Sequence, residues 1–276
     1  MGKQTDSLGD RMKSYENISR NYLTRRIPVI IRIDGKAFHT FTKGMKKPFD
    51  RLLMTSMQDT TKFLCENIQG CVFGYTQSDE ISLILTDYEN IRTDAWFGYN
   101  IQKMASVSAS MATLAFNKRF KELVENAYHN NTFFEGEEEY KKYKQKFFTA
   151  MFDSRAFTVP AEEVCNCMIW RQQDAVRNSI ESVGHTNFSN KQLQRKSCND
   201  IIEMLWQEKQ INWNDFPVDC KRGAACYCVE KEIKKQNSNG EISVKRKRWI
   251  IDKEIPIFTQ NRDFIESRLF FDNNNF

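Results

Sequence analysis

Apolar residues in this chain recur in two rhythms, one of three to four residues and one of two, and the two alternate over 1–160. Residues 10–24 (DRMKSYENISRNYLT) put Met12, Tyr15, Ile18 and Tyr22 on one stripe, which predicts an amphipathic helix. Pro28 then opens PVIIRID, a β-branched run that reads as a strand ending at Asp34-Gly35. Residues 36–48 form a basic loop, and Phe49, Leu52, Leu53, Met57, Phe63 and Leu64 give a helix over 49–68. CVFGYT (71–76) and DEISLIL (79–85) read as two strands joined tightly at Gln77-Ser78. A second helix is predicted over 96–117, where small residues such as Ala105, Ser108 and Ala109 suit close packing on a sheet. The charged span 118–147 reads as an exposed helical insertion, and FDSRAFTVP (152–160) as a fourth strand.

The order β-α-β-β-α-β predicts an α+β chain with a ferredoxin-like antiparallel sheet, strand order 4-1-3-2. In that topology the first strand ends on the rim where its two neighbours begin. Asp34, Asp79 and Asp153, far apart in sequence, are thereby brought to one rim beside the basic loop. Asp79-Glu80 offers one carboxylate to each face of its strand, so only Asp79 is expected to look into the rim. Residues 161–276 read as a dependent C-terminal region. It holds a helix over 161–182, another over 197–209, and a hairpin of ACYCVEKEI and KRKRWIIDKEI joined by a turn at Asn237–Gly240. No internal repeat is present, and low complexity is limited to the asparagines at 273–275.

Composition narrows the classes. The chain has 276 residues, 40% apolar and 28% charged, with 5 Pro and 11 Gly, which excludes collagen-like and disordered chains. It contains no apolar run of the roughly 18 residues a spanning helix needs, and MGKQTDSLGD lacks the apolar core of a secretory signal, so a cytoplasmic protein is expected. The Met-Gly start is a poor myristoylation motif because position 6 is Asp6. Forty-one basic against 36 acidic residues leave +5, which permits a polyanionic partner without requiring one. The basic residues are clustered, however, at Arg25-Arg26, Lys43 with Lys46-Lys47, Arg195-Lys196, Lys221-Arg222 and Lys245 to Arg248. Five clusters with aromatic residues nearby point to nucleic acid, with Arg25, Arg26, Lys196, Arg246 and Arg248 as candidate contacts. Cys165/Cys167 and Cys226/Cys228 have C-x-C spacing, not the zinc-knuckle C-x2-C, and read as core thiols.

Paired aspartates on a sheet rim next to lysines suit divalent-metal phosphoryl transfer. Mg²⁺ takes one or two carboxylates and completes its shell with substrate phosphate oxygens and water. Two such ions about 3.5–4 Å apart activate an attacking hydroxyl and steady the leaving oxygen. Asp34 and Asp79 are the candidate ligands; Asp153 is a third, unless it pairs with Arg155 or Arg32. Gly35 lets the backbone approach a phosphate, and the amides of Gly35, Lys36, Ala37 and Phe38 can wrap a triphosphate. Lys47 suits a β- or γ-phosphate or is a plain surface lysine, His39 can stack on or bond a base, and Lys103 on the second helix needs an anionic partner if buried.

RIDGKAFHTF, the KPFD segment at 47–50, GYTQSDEISLIL, FDSRAFTVP and WRQQDAVRNS occur here in one order. In sequence and spacing they resemble the tRNA(His) guanylyltransferase superfamily, polymerases that add nucleotides 3′ to 5′. The resemblance spans most of 5–180 and continues more loosely into IPIFTQNRDFI. It implies a polymerase-palm-like fold for 1–160 and two Mg²⁺ held by Asp34 and Asp79 with the Gly35 carbonyl. It further implies contacts from Ser78, Lys47 and His39 to the nucleotide that activates the RNA 5′ end. Asp50 would face its base, and Lys103 would hold the incoming triphosphate. Tetrameric assembly and a tRNA partner are implied as well. One departure is informative: where eukaryotic members carry H-I-N-N-x-Y-N, this chain reads Val176-Arg177-Asn178-Ser179-Ile180 and keeps one Asn. That resembles the guanylyltransferase-like branch of bacteria, archaea and some protists, which repairs 5′-truncated tRNA by templated addition. The implied chemistry is activation of a 5′-monophosphate by ATP or GTP, then attack by the 3′-hydroxyl of an incoming NTP. Non-templated addition of a single G is the alternative. A palm-fold nucleotide cyclase would share the paired aspartates. An RNA-binding module would read bases with exposed sheet aromatics, which VIIRI lacks.

Overall fold

The structure, a computed structural model, describes residues 7–237 and 240–269, and the side chains among these outside 231–245. The N-terminal Met-Gly, the tip of the predicted turn at Asn237–Gly240 and the asparagines at 273–275 lie outside the described residues. Four strands, β1 (Val29–Gly35), β2 (Cys71–Gln77), β3 (Glu80–Leu85) and β4 (Phe152–Thr158), pair antiparallel in the order β4-β1-β3-β2. The sheet does not stop there. β5 (Ala224–Asn237) pairs with β2, and β6 (Gly240–Asp252) pairs with β5, so the C-terminal hairpin extends one six-stranded antiparallel sheet.

Alternation along β1 divides the two faces. Val29, Ile31 and Ile33 enter a core shared with α3 (Arg51–Asn67) and α4 (Ile101–His129), while Ile30 packs under α6 (Ala161–Asn187) with Ile84, Val164 and Met168. Caps fix where these helices start. Asp50 accepts a hydrogen bond from the Leu53 amide (2.9 Å) at the head of α3, and Asn100 accepts from the Lys103 amide (3.0 Å) at the head of α4.

Three sequence expectations are corrected. The basic loop 36–48 contains a helical turn at Phe38–Phe41, here α2, whose two Phe side chains are buried in the core. The span 118–147 is not an exposed insertion. α4 runs on to His129, and Phe116, Phe120, Val124 and Ala127 continue its buried stripe past the point where charged residues take over the opposite side. A further helix, α5 (Glu137–Lys144), adds the fully buried Tyr143. Phe38, Phe41, Phe116, Phe120 and Phe152 form one aromatic cluster with ring centroids 4.9–5.7 Å apart. Finally, the first helix, α1 (Ser7–Ile18), ends four residues before Tyr22 and buries nothing, so Met12, Tyr15, Ile18 and Tyr22 all face outward. The segment after it docks through Leu23 N–H to the Tyr99 carbonyl (3.0 Å) and Ile101 N–H to the Asn21 carbonyl (3.0 Å).

The thiols do not form a shared site. Cys165 and Cys226 are buried in cores on opposite faces of the sheet, and all eight cysteines are free. Among the described residues, no helix is long and apolar enough to cross a membrane.

Candidate active site on the rim of the sheet

The strand register builds the site in rows. On the face of the sheet under α6, Phe157, Ile30 and Ile84 lie side by side across β4, β1 and β3. The next row along is Arg155, Arg32 and Ser82, and the last, at the rim, is Asp153, Asp34 and Glu80. An apolar row, a cationic row and an anionic row thus follow one another toward the strand ends.

Asp79 belongs to the turn, not to β3. Its carbonyl accepts from the Gly35 amide (3.1 Å), which closes the end of β1 onto the β2–β3 turn and brings Asp79 beside Asp34. Ser78, also in that turn, has a left-handed backbone (φ 50°) and donates its hydroxyl to Asp79 Oδ1 (3.0 Å). Burial pushes the Asp79 carboxyl pKa up, the Ser78 hydrogen bond opposes that, and the charge of Asp34 raises it further. Neither Asp34 nor Asp79 has an ion pair with a basic side chain among the described residues.

Glu80, not Asp79, is the direct partner of Asp34 in the strand register and so falls on the same face as Asp34. The prediction that only Asp79 looks into the rim is therefore corrected. Glu80 is buried and bonds Arg171 of α6 (Nη1–Oε2 2.7 Å); burial raises its pKa and Arg171 pulls it back. Asp153 is taken by Arg155 (2.9 Å) and is exposed.

Gly35 has a packing reason for lacking a side chain: a Cβ there would sit 2.3 Å from the ring of Phe38. Ala37 is left-handed (φ 53°), and Phe38, expected to offer its amide, has its ring in the core. Lys36, His39, Lys47 and Lys103 are exposed; Lys103 sits on the first turn of α4, its ammonium 5.9 Å from the Phe97 ring centroid.

Beside Ser78 opens a cavity of about 130 Å³, walled by Asp50, Ser78, Asn178, Ser182, Asp219 and Gly223 among others. Ser182 ties α6 to the loop by donating to the Pro48 carbonyl (2.9 Å), and Asp219 is held by Arg51 (2.9 Å) and Gln58 (3.2 Å). Gly223 (φ +81°) lets the chain pass so close to β2 that a Cβ would lie 2.4 Å from the Thr76 carbonyl oxygen. Of the predicted residues, the cavity gathers Asp50, Ser78 and Asn178, and it leaves Lys103 outside its walls. Both oxygens of Asp50 are already bonded, one to Leu53 N–H and the other to Lys46 N–H (3.2 Å) and the Tyr143 hydroxyl, so its carboxylate is a cap on the cavity wall.

Ser182, Asp219 and Gly223 had no motif to announce them, since β5 and the helical turn before it reach the site only through tertiary packing. Two predicted RNA contacts are occupied elsewhere. Arg25 bonds the fully buried Asp87 (2.5 Å), and Arg26 donates to the carbonyls of Asp87, Asn90 and Ile91 (3.0–3.3 Å), so the pair holds the loop after β3. Lys196, Arg246 and Arg248 are exposed.

Comparison with known proteins fits this geometry. Residues 9–160 match the sequence profile described as Thg1, tRNAHis guanylyltransferase. A probable tRNA(His) guanylyltransferase of Dictyostelium discoideum is 26% identical over 260 residues, covering 90% of this chain and 91% of the relative. A bacterial tRNA(His) guanylyltransferase (Thg1)-like protein solved in complex with ATP superposes with a TM-score of 0.80 at 43% identity, over 96% of this chain and all of that one. A structure of a bacterial protein of the same description with GTP gives 0.71 and 40%, with the same coverage. With more than half of its length under the family profile and 43% identity to a solved relative across nearly all of it, this chain belongs to the tRNA(His) guanylyltransferase family of nucleotidyltransferases.

Proposed function

We propose that the chain adds nucleotides to the 5′ end of 5′-truncated tRNA in the 3′–5′ direction, choosing each by pairing with the opposite strand. The observation that carries this reading is the rim: Asp34 and Asp79 adjoin each other without an ion pair among the described residues, next to a cavity large enough to admit part of a nucleotide. ATP and GTP in the bacterial relatives support nucleotide binding, and the variant stretch Val176 to Ile180 supports the templated branch.

The rim fits Mg²⁺. No group of three or more His, Cys, Asp or Glu side chains among the described residues forms a metal cage. A pair of carboxylates that repel each other and have open sides is what this ion uses when phosphate oxygens supply the other ligands. Asp34, Asp79 and the Gly35 carbonyl would hold it, and bound there it would supply charge stabilisation to the reacting phosphates. The chain's own groups do the rest. Ser78 and the cavity wall would seat the activating nucleotide, and the exposed Lys47 and His39 would contact its phosphates. In the first step a 5′-phosphate oxygen displaces pyrophosphate from that nucleotide. In the second, the 3′-hydroxyl of an NTP displaces the mononucleotide, with Lys103 as its triphosphate contact. Homotetrameric assembly and a cytoplasmic location belong to the same reading.

The test is extension of a tRNA lacking its first nucleotide, with the opposing base varied. Addition should follow the template, and Asp34→Ala and Asp79→Ala should each abolish activation and extension while leaving the unfolding midpoint near that of the wild type. Addition of G whatever the opposing base would replace templated repair by fixed guanylylation, and cyclic product from NTP alone would replace both.

A further inference from the structure

The cationic row of the sheet has an electrostatic feature that the rim chemistry does not use. Arg32 of β1 and Arg155 of β4 face each other directly in register, on the same side of the sheet. Like charges directly opposite destabilise a strand pair. Arg155 is relieved by Asp153 at 2.9 Å, but Arg32, half-buried, makes no ion pair among the described residues. What Arg32 meets instead is a ring: its guanidinium carbon lies 5.6 Å from the centroid of Trp170. Trp170, in the third turn of α6, is 49% exposed. Its underside is fixed by Arg171, whose guanidinium carbon sits 3.7 Å from the ring centroid and is itself anchored on Glu80. A half-exposed indole stacked on one guanidinium and approached by a second, with only the charge of the neighbouring Glu80 acting on the latter, can take a base and the phosphate attached to it.

Position says which nucleotide that is. Arg32 is two residues from Asp34 on the same face, about 6.5 Å along the strand. β4 is the edge strand and exposes Asp153 and Arg155, so this edge of the sheet is approachable. We infer that Trp170, Arg32 and Arg155 form the seat for the 5′-terminal nucleotide of the RNA, its base stacked on Trp170 and its phosphate drawn to the two guanidiniums. Single-stranded and frayed RNA ends are recognised by such stacking, and arginines supply the phosphate contact. The inference rests on the proposed RNA substrate. It adds an RNA-end subsite separate from the nucleotide cavity, on the opposite flank of the carboxylate pair.

The test uses the full chain and three 5′-monophosphorylated or 5′-hydroxyl RNA hairpins: one with a normal terminal nucleotide, one abasic there, and one without the 5′-phosphate. Trp170→Ala should weaken binding of the normal hairpin about ten-fold, and Trp170→Phe should restore most of it. Against the abasic hairpin the Ala variant should bind as the wild type does. Arg32→Gln should erase the preference for the 5′-phosphate and leave the penalty for the abasic end in place. If Trp170→Ala binds the normal hairpin as wild type, or loses equally on both hairpins, the seat is elsewhere or the effect is structural, and the inference falls. The proposed function is judged separately, by whether the wild type extends the RNA at all.

Discussion

The Glu80–Arg171 pair offers a quantitative check on how the site is held. Both side chains are nearly buried, 11% and 8% exposed, and Nη1 approaches Oε2 at 2.7 Å. The Arg171 Nε has no hydrogen-bond partner, so the guanidinium already has little to spare. Replacing Glu80 by Leu keeps the volume roughly and leaves a buried cation. Breaking a buried pair from one side costs about 3–5 kcal/mol. Asp174, at 3.5 Å and 26% exposed, remains as a second acceptor and returns about 1 kcal/mol, since partly exposed pairs are worth no more. The net expectation is a loss of about 2–4 kcal/mol, a large part of the ~5–15 kcal/mol that a typical domain has. Urea unfolding should show the midpoint falling with an unchanged slope. Arg171→Met alone should cost a similar amount, because Glu80 then keeps only the Ser82 hydroxyl (3.4 Å) and the more distant charge of Arg32. The Glu80→Leu/Arg171→Met double variant should recover at least about 1 kcal/mol relative to the sum of the singles. A single-variant loss below about 1 kcal/mol, or simple additivity, would mean that water reaches the pair and that it is not a buried ion pair.

Other outcomes follow from the same geometry. Phe120→Ala, in the stretch that reads as exposed from sequence, should cost about 3–5 kcal/mol in the same urea assay, since its ring is fully buried in the aromatic cluster. Arg246→Gln should lower the slope of log affinity for RNA against log salt by about 1, whereas Arg25→Gln should leave that slope alone. Arg25→Gln should instead lower stability by about 1–3 kcal/mol, because it strips the buried Asp87 of its charged partner. Adding Mg²⁺ should raise the thermal midpoint of the wild type and not that of Asp79→Asn, since a ligand stabilises only the state that binds it. Equal shifts in the two proteins would place the ion elsewhere.

Some of this protein is written in short-range pattern. The β-α-β-β-α-β order follows from where the apolar rhythm changes from two to about four and back, and the strand order 4-1-3-2 follows from the topology. Asp34 and Asp79 are legible for the same reason, because they stand at strand ends whose neighbours the topology fixes. Other features were settled by tertiary contacts that no local window contains. α4 runs through a charged stretch because one face of it, Phe120, Val124 and Ala127, finds Phe41 and Tyr143 to pack on. Glu80 shares the face of Asp34 because the pairing register sets the two opposite each other, and a register one residue different would have sent it to the other face. Arg25 and Arg26, indistinguishable in sequence from RNA contacts, became staples because Asp87 lies buried beside them. VIIRI carries no aromatic, yet the sheet acquired one when α6 laid Trp170 over Arg32. Local periodicity was enough for the four palm strands and the order that brings Asp34 and Asp79 to one rim, but not for the helical turn Phe38–Phe41 or the full length of α4. Only the tertiary structure decided which charges are spent on the fold and which face outward, because that depends on partners distant in the chain: Asp87 for Arg25, Arg171 for Glu80, and a tryptophan ring for Arg32.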